Sequence, residues 1–430
     1  VQYKGTKKTL PEIARELNVD ALVEGTVLRS GNHLRITANL VEASPERHLW
    51  ADSYESEVGD ILTLQGHVAQ AIAREIQVKL TPEEQKLLRS ARSVDPQAHD
   101  DYLKGRFFCD KDTREPVEKG VKYFELAIQE APSDPLGYAG LANCYALLSA
   151  GGDIFVGDLS AAEMMPKARD AALQALLLDE NLAEAHASLA CVEMILNWNW
   201  AGAEREFKRA IELNPSYTPA HVWYAHYLAA MGRSDESVAE AKRSLQFDPF
   251  SKFTMDFSEW AFYLNRRYDL AIEQSHKTFE LAPEMPWSHY DLGQIYEWTG
   301  RQREAIEEYT TAQEIFGLSQ SRLEELRTAY RQSGEKGYWR KNIEFCQEAS
   351  KQRRKFATPS GYGFCDYVKD LWVALFHVRL GELDAAFQLL DTACTKHETE
   401  IIYLNVDPQW DSVRSDPRFQ SLLRRIGLNN

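Results

Sequence analysis

Apolar residues follow two spacings along this chain, and the change falls near residue 58. From Ala21 to Arg29 and from His33 to Glu42 apolar and polar residues alternate, and Ser30, Gly31 and Asn32 between them form a hairpin turn signal. Leu34, Ile36, Ala38 and Leu40 then share one face, with Arg35, Thr37 and Asn39 on the other. A third strand is expected over Arg47 to Glu55. Ile61, Leu64, Val68, Ile72 and Ile76 recur at helical spacing and predict a long amphipathic helix. Ahead of the strands, Thr9, Leu10, Pro11 and Glu12 read as a capping box, and Ile13, Ala14 and Leu17 give the short helix behind it one apolar side. Residues 1–80 thus predict a small α+β unit with helices on one face of an antiparallel sheet.

Beyond a linker at 81–95 the pattern is helical and it repeats. Pro215, Pro249 and Pro283 stand 34 residues apart, each closing a helix-like run. With residue 218 as the first of a repeat, the small or apolar positions are Tyr224, Ala225, Leu228, Ser237, Ala241 and Ser244. One period on they are Ser258, Glu259, Phe262, Ala271, Ser275 and Thr278, a weaker copy, and the next set is Leu292, Gly293, Tyr296, Ala305, Tyr309 and Ala312. The last set resembles the tetratricopeptide (TPR) consensus. Gly232, Gly300 and Gly334 occupy the turn between the two helices, where a left-handed backbone costs glycine least. Extending the frame in both directions gives about eight hairpins over 96–398, with an insertion near Gly151–Val156 and a degenerate copy at Leu326, Tyr330, Gly334, Trp339 and Ile343. The expected fold is mostly α: a right-handed α-solenoid of TPR hairpins, preceded by the α+β unit and closed by a cap over 399–430. In that cap Trp410 and Phe419 are expected to cover the last hairpin, since a terminal repeat exposes an apolar face.

Charge narrows the partners. The net charge is −16, and residues 96–430 carry most of it, with 37 Lys/Arg against 51 Asp/Glu. An acidic array is a poor generic binder of nucleic acid or anionic lipid, so neither is expected for this segment. Lys351, Gln352, Arg353, Arg354 and Lys355 are read as a solvated loop. The six cysteines form no Cys-x-x-Cys pair, and Cys144 and Cys191 on repeat helices are read as buried thiols in a reducing compartment. No run of eighteen apolar residues is present. The chain begins with Val1, so the cytoplasmic expectation carries a periplasmic alternative should a membrane span precede it.

Signals for chemistry are absent. The sequence has no Walker A run, Gly-x-Gly-x-x-Gly, His-Glu-x-x-His or Gly-x-Ser-x-Gly. His221 and His226, five apart, fall on different sides of a helix, and His221 is assigned to repeat packing. No catalytic residue, metal or cofactor is expected, and the chain is read as a binding module rather than an enzyme.

Tyr3-Lys4-Gly5, Glu12 to Leu17, Val23-Glu24-Gly25, Arg35-Ile36-Thr37 and Leu49-Trp50-Ala51 are together similar to the second half of the TolB amino-terminal-like (FlgO-like) domain. That domain precedes TPR arrays in many bacterial regulators, which Trp198 to Phe207 and Ser415 to Phe419 also resemble. The resemblance implies a sensory or scaffolding part of a larger signalling protein, whose output module is a winged-helix DNA-binding domain, a nucleotide cyclase or a Ser/Thr kinase. It also implies that the first strand and helix of the TolB-like domain are missing. An unpaired strand edge and self-association through residues 21–56 are therefore expected.

The TPR resemblance further implies which residues meet a partner. Positions 2, 5, 9 and 12 of each first helix line the concave groove of such arrays. Here they are Phe253, Asp256, Trp260 and Tyr263, then Trp287, Tyr290, Gln294 and Glu297, with Trp298 adjacent. A protein or peptide segment with apolar or cationic side chains is the expected occupant. The competing reading is that these aromatics pack between helices and tighten the stack.

Overall fold

The computed structural model describes residues 3, 6–17, 19–31, 33–57, 61–75, 95–111, 114–150, 161–353 and 369–428. Two compact units result, one of Val1–Asp101 with Gln129–Pro132, the other of Tyr102–Ile128 with Ser133–Asn430. The insertion at 151–156 and all of the 81–95 linker except Asp95 lie outside the described residues.

The first unit follows the period-two pattern. Helix α1 (Leu10–Leu17) starts after Thr9, whose backbone N–H and hydroxyl both donate to the Glu12 carboxylate, at 2.7 and 2.9 Å. Strands β1 (Ala21–Ser30), β2 (His33–Ala43) and β3 (Glu46–Glu57) form an antiparallel sheet in the order β1-β2-β3. Helix α2 (Ile61–Glu75) lies against β3. Leu34, Ala38 and Leu40 are buried on the face predicted for them, and Leu64 of α2 packs on Leu34 beside Ile36 and Tyr54.

The second unit is an α-solenoid of helical hairpins. Its helices, apart from Pro96–Asp101 of α3 and Gln129 and Glu130 of α4, which fall in the first unit, are α3 (Pro96–Cys109), α4 (Arg114–Glu130), α5 (Pro135–Ala150), α6 (Ala161–Leu178), α7 (Ala183–Ile195), α8 (Trp200–Leu213), α9 (Thr218–Ala230) and α10 (Ser234–Phe247). They continue as α11 (Lys252–Leu264), α12 (Tyr268–Leu281), α13 (Pro286–Trp298), α14 (Gln302–Ile315), α15 (Gln320–Arg353), α16 (Asp370–Leu380) and α17 (Leu383–Thr395). Two 3-10 segments, Thr399–Tyr403 and Pro408–Val413, and helix α18 (Pro417–Arg425) complete it.

The 34-residue beat has a local cause. Helices α8, α10 and α12 end at Leu213, Phe247 and Leu281, two residues before Pro215, Pro249 and Pro283, because a proline excludes the helical conformation from the residue ahead of it. Gly232, Gly300 and Gly334 all take positive φ (72°, 78° and 60°), and at the same frame position Arg266 does so without being glycine (57°). A side chain in that region costs about 1–2 kcal/mol. Arg266 offsets it with two bonds to the Asp411 carboxylate at 2.7 and 2.8 Å. At Gly334 the turn shrinks to one non-helical residue inside α15, which accounts for the degenerate copy.

Small frame positions are buried where helices meet. A Cβ built on Gly293 would come within 2.7 Å of the Tyr309 ring, so glycine there is what allows α13 and α14 to close. In the weaker copy polar residues at core positions find partners nearby: Ser275 donates to one Glu259 oxygen at 2.6 Å, and the Ser258 hydroxyl lies 3.1 Å from that of Ser244 in the preceding copy. Two expectations fail. Cys144, read as a buried thiol, is disulfide-bonded to Cys109 with Cα atoms 6.1 Å apart, because α3 and α5 bring the two side chains together across a separation that no motif marks; Cys191 remains a free, buried thiol. Lys351–Arg353, read as loop, instead extend α15, as good helix formers at a helix end do; residues 354 and 355 lie outside the described residues.

Candidate functional site

The first helices of successive hairpins pack side by side, and the nine residues assigned to a partner groove belong to two of them, α11 and α13. Phe253 packs at a tilt against Phe257 (ring centroids 4.6 Å apart) and meets Trp223 at 6.0 Å. Trp260 packs edge-on to Tyr403 at 4.6 Å, and Tyr263 is fully buried with its hydroxyl donating to Asp407 at 3.2 Å. Trp287 and Tyr290 meet each other at 6.0 Å and Trp372 of α16 at 6.2 and 5.3 Å. Gln294 is buried, with both ends of its amide lacking a hydrogen-bond partner among the described residues. Glu297 accepts from the Tyr309 hydroxyl at 2.7 Å and from Arg379 at 2.5 Å. Trp298 is the most exposed of the nine, at 38%.

What covers this face is the chain itself. After α17 the backbone returns along the first helices, so that Thr399–Tyr403 lies against α7 and α9 and Pro408–Val413 against α16. Thr399 donates to the Ser149 carbonyl at 2.6 Å, and Trp200 Nε1 donates to the Ile426 carbonyl at 2.8 Å. Tyr403 meets His226, whose tautomer follows from its neighbours. Nε2 carries the proton donated to the Phe257 carbonyl at 2.8 Å, which leaves Nδ1 to accept from the Tyr403 hydroxyl at 3.0 Å. Burial holds this imidazole neutral, pushing its pKa down to about 4.

Carboxylates gather under the returning segment. Asp256, Glu259, Asp291 and Asp407 are all buried. Burial first, then Asp291 and Asp256, holds the Glu259 carboxyl far above its ordinary range; burial, then Asp256 and Asp407, does the same to Asp291. Protonation relieves the crowding of charge, and among the described residues no group of three His, Cys, Asp or Glu side chains is arranged for an ion.

Glu398 carries the clearest pH signature. It caps α16 by accepting from the backbone N–H groups of Asp370 and Leu371 at 3.0 and 2.9 Å, yet burial dominates and pushes its pKa up to about 7. The folded state therefore keeps this proton up to about pH 7, whereas the unfolded chain releases it near 4.5. Stability from this group is complete below about pH 4.5 and is lost as pH rises through 7, a term on the order of 3 kcal/mol. Glu398→Gln, which cannot titrate, is expected to lose stability relative to the parent at pH 5 and to recover most of the difference at pH 8. Melting curves at the two pH values check this, and an unchanged gap between parent and variant counts against it.

One part of the inner face remains open. Tyr102 and Arg106 of α3, Asn143 of α5, Glu184 of α7, Tyr217 and Thr218 at the start of α9, and Ser251, Phe253 and Thr254 at the start of α11 line a cleft of about 410 Å³. Asp110 and Asp248 also line it, so one guanidinium faces three carboxylates. Burial raises the Tyr102 and Tyr217 hydroxyls.

Of the residues assigned from sequence, Phe253 lies in this cleft, and most of the others lie beneath the C-terminal segment or α16. Sequence reasoning missed Arg106 and Tyr217, although Tyr217 and Ser251 stand one 34-residue period apart and their shared rim position was there to be found. A second periodic feature was also missed. His186, His221 and His289 of first helices bond Glu206, Glu240 and Glu308 of second helices at 2.7, 2.6 and 2.7 Å. The glutamates fall on a 34-residue ladder that passes through Gln274, opposite Met255. His221 thus packs within its repeat as expected, and its ring is committed to Glu240 and to the Pro215 carbonyl at 2.9 Å.

Comparison with known proteins gives one family match and several partial relatives. The tetratricopeptide repeat family matches residues 288–316. Among solved structures, YrrB, described as a TPR protein with an unusual peptide-binding site, is 19% identical and covers 45% of this chain and 91% of its own, with a TM-score of 0.31. A thermophilic TPR protein of Thermus thermophilus is 16% identical over 49% of this chain and 99% of its own, TM-score 0.36. A protein named putative adenylate cyclase 3 from Rhizobium meliloti (strain 1021) is 36% identical over 104 residues, which are 24% of this chain and 18% of that relative. The chain therefore carries TPR-type helical repeats. Among the described residues no helix is long and apolar enough to cross a membrane.

Proposed function

We propose that this chain is a non-catalytic interaction module that holds an extended peptide in the cleft between the first helices of its leading hairpins. The observation that carries the reading is the cleft's composition. Five successive first-helix segments line it, aromatic side chains and carboxylates are both among its lining residues, and none of those residues comes from the C-terminal segment. Tyr102, Tyr217 and Phe253 offer flat apolar anchors, and Asp110, Glu184 and Asp248 favour a cationic side chain beside them. Trp260, Tyr263, Trp287 and Tyr290 would meet the same peptide only if residues 399–413 or α16 gave way. Peptides selected from a displayed library against the 430-residue chain are expected to weaken about 30-fold, on the order of 2 kcal/mol, when Tyr217 is replaced by Ala, with the helical circular dichroism of the chain retained. A library that yields no binder, or binders indifferent to Tyr217→Ala and Glu184→Ala, would sink the reading.

A second reading places the module in a larger bacterial signalling protein, with catalysis or DNA binding performed elsewhere. The 104-residue similarity to a protein named as an adenylate cyclase supports it. Fusion of this chain behind a cyclase catalytic domain, assayed with and without a selected peptide, tests it; output indifferent to the peptide speaks for a passive scaffold.

A further inference from the structure

Strand β1 is an edge strand whose only sheet neighbour among the described residues is β2. Its pairing with β2 puts Val23 opposite Leu40 and Val27 opposite Ile36, on the face that is apolar further into the sheet. Leu40 is buried there, yet Val23 is 52% and Val27 65% exposed, and Leu28 on the opposite face is 63% exposed. The other edge is defended differently. Strand β3 carries Glu46, Arg47, Asp52, Glu55 and Glu57 along its length, the charges that keep an edge from recruiting strands, whereas β1 carries only Glu24 and Arg29.

The order of residues in β1 says what fits it. Leu22-Val23-Glu24-Gly25-Thr26-Val27-Leu28 is close to a palindrome about Gly25. An antiparallel strand reads its partner backwards, so such a segment is complementary to itself. We propose that two copies of this chain pair β1 to β1 about a two-fold axis through Gly25, joining two three-stranded sheets into one of six strands. In this register Val23 lies opposite Val27 of the second copy on one face, and Leu22 lies opposite Leu28 of the second copy on the other. Glu24 meets Thr26 of the second copy rather than its own kind. Gly25 faces itself and places no side chain on the axis; it already lies so close to β2 that an added Cβ would fall 2.3 Å from the Thr37 carbonyl oxygen. Neighbouring registers of the same symmetry are worse. Moving the axis to Glu24 opposes two carboxylates, and moving it to Thr26 sets Val23 against Arg29 of the second copy.

Sedimentation equilibrium of the 430-residue chain from micromolar to about 100 μM tests the pairing, and a dimer is expected. Val27→Lys should raise the dissociation constant at least tenfold while leaving the melting curve and circular dichroism unchanged, because Val27 packs on little within its own chain. The double variant Val23→Cys/Val27→Cys, mildly oxidised, should give a covalent dimer linking position 23 to position 27, and each single variant should not cross-link through its new cysteine. A monomer throughout, a dimer indifferent to Val27→Lys, or a bond between like positions would overturn the proposal.

Discussion

A chain ending at Asn405 is expected to lose its cooperative melting transition, bind a hydrophobic dye and aggregate on concentration. Residues 406–428 hold Trp410, Val413, Phe419, Leu422, Leu423 and Ile426, all buried, with the Trp410 and Phe419 rings 6.2 Å apart. Large-to-small replacement of one such aromatic costs about 3–5 kcal/mol, so removing both together with their aliphatic neighbours approaches the whole stability of an ordinary domain. The loss is not confined to the last hairpin. Tyr263 loses the carboxylate its hydroxyl donates to, Arg266 loses the partner that offsets its left-handed backbone, and Trp200 loses the Ile426 carbonyl. Trp410→Ala is the milder control, expected to cost about 3–5 kcal/mol in denaturant titrations while leaving the chain folded. If the truncated chain melts and stays in solution as the parent does, the C-terminal segment contributes nothing and its contacts are incidental.

The reach of that segment marks where sequence reading stops. Strand and helix boundaries in residues 10–75 and the beat of the hairpins were legible because they depend on neighbours two, four or thirty-four positions away. A residue such as Pro249 announces its helix end whatever lies across the fold. Trp410 and Phe419 were recognisable as apolar plugs from composition alone. That the backbone after Thr399 would turn back toward Ser149 and His226 was not, since those contacts join residues 250 and 177 positions apart and no period encodes them. The aromatic density at Trp260, Tyr263, Trp287 and Tyr290 was visible in the sequence, and so was the choice between a partner and internal packing as its cause. The structure gives these rings an internal surface to meet, in Tyr403 and Trp372. The cleft was harder to read because its members are ordinary residues, Tyr102, Asn143, Tyr217, Ser251 and Thr254 among them, that lie at different depths along five first helices and share no single frame position.

Arg379→Ala is expected to be among the most damaging single changes in the solenoid, about 3–5 kcal/mol by chemical denaturation. Its guanidinium donates to Glu297 at 2.5 Å, to the Tyr309 hydroxyl at 3.3 Å and to the Gln409 side chain at 3.0 Å, and it lies 4.0 Å over the Trp339 ring. One cation thus joins α13, α14, α15 and the returning C-terminal segment. Removing it leaves the Glu297 carboxylate with the Tyr309 hydroxyl but no counter-charge, in a place where water is scarce; the cost comes chiefly from that stranded charge and not from the lost attraction. The variants separate the two contributions. Arg379→Lys keeps the charge but loses the planar fork and the stacking on Trp339, so it should fall between parent and Ala. Arg379→Met combined with Glu297→Gln removes both charges and should recover stability relative to Arg379→Ala; a double variant as weak as the single one would show that packing on Trp339, not the ion pair, is what matters. The same geometry bears on Glu297 as a contact for a partner's cationic side chain. Arg379 already fills that role from within the chain, so a partner that binds Arg379→Ala protein more tightly than the parent would be one that supplies the missing charge.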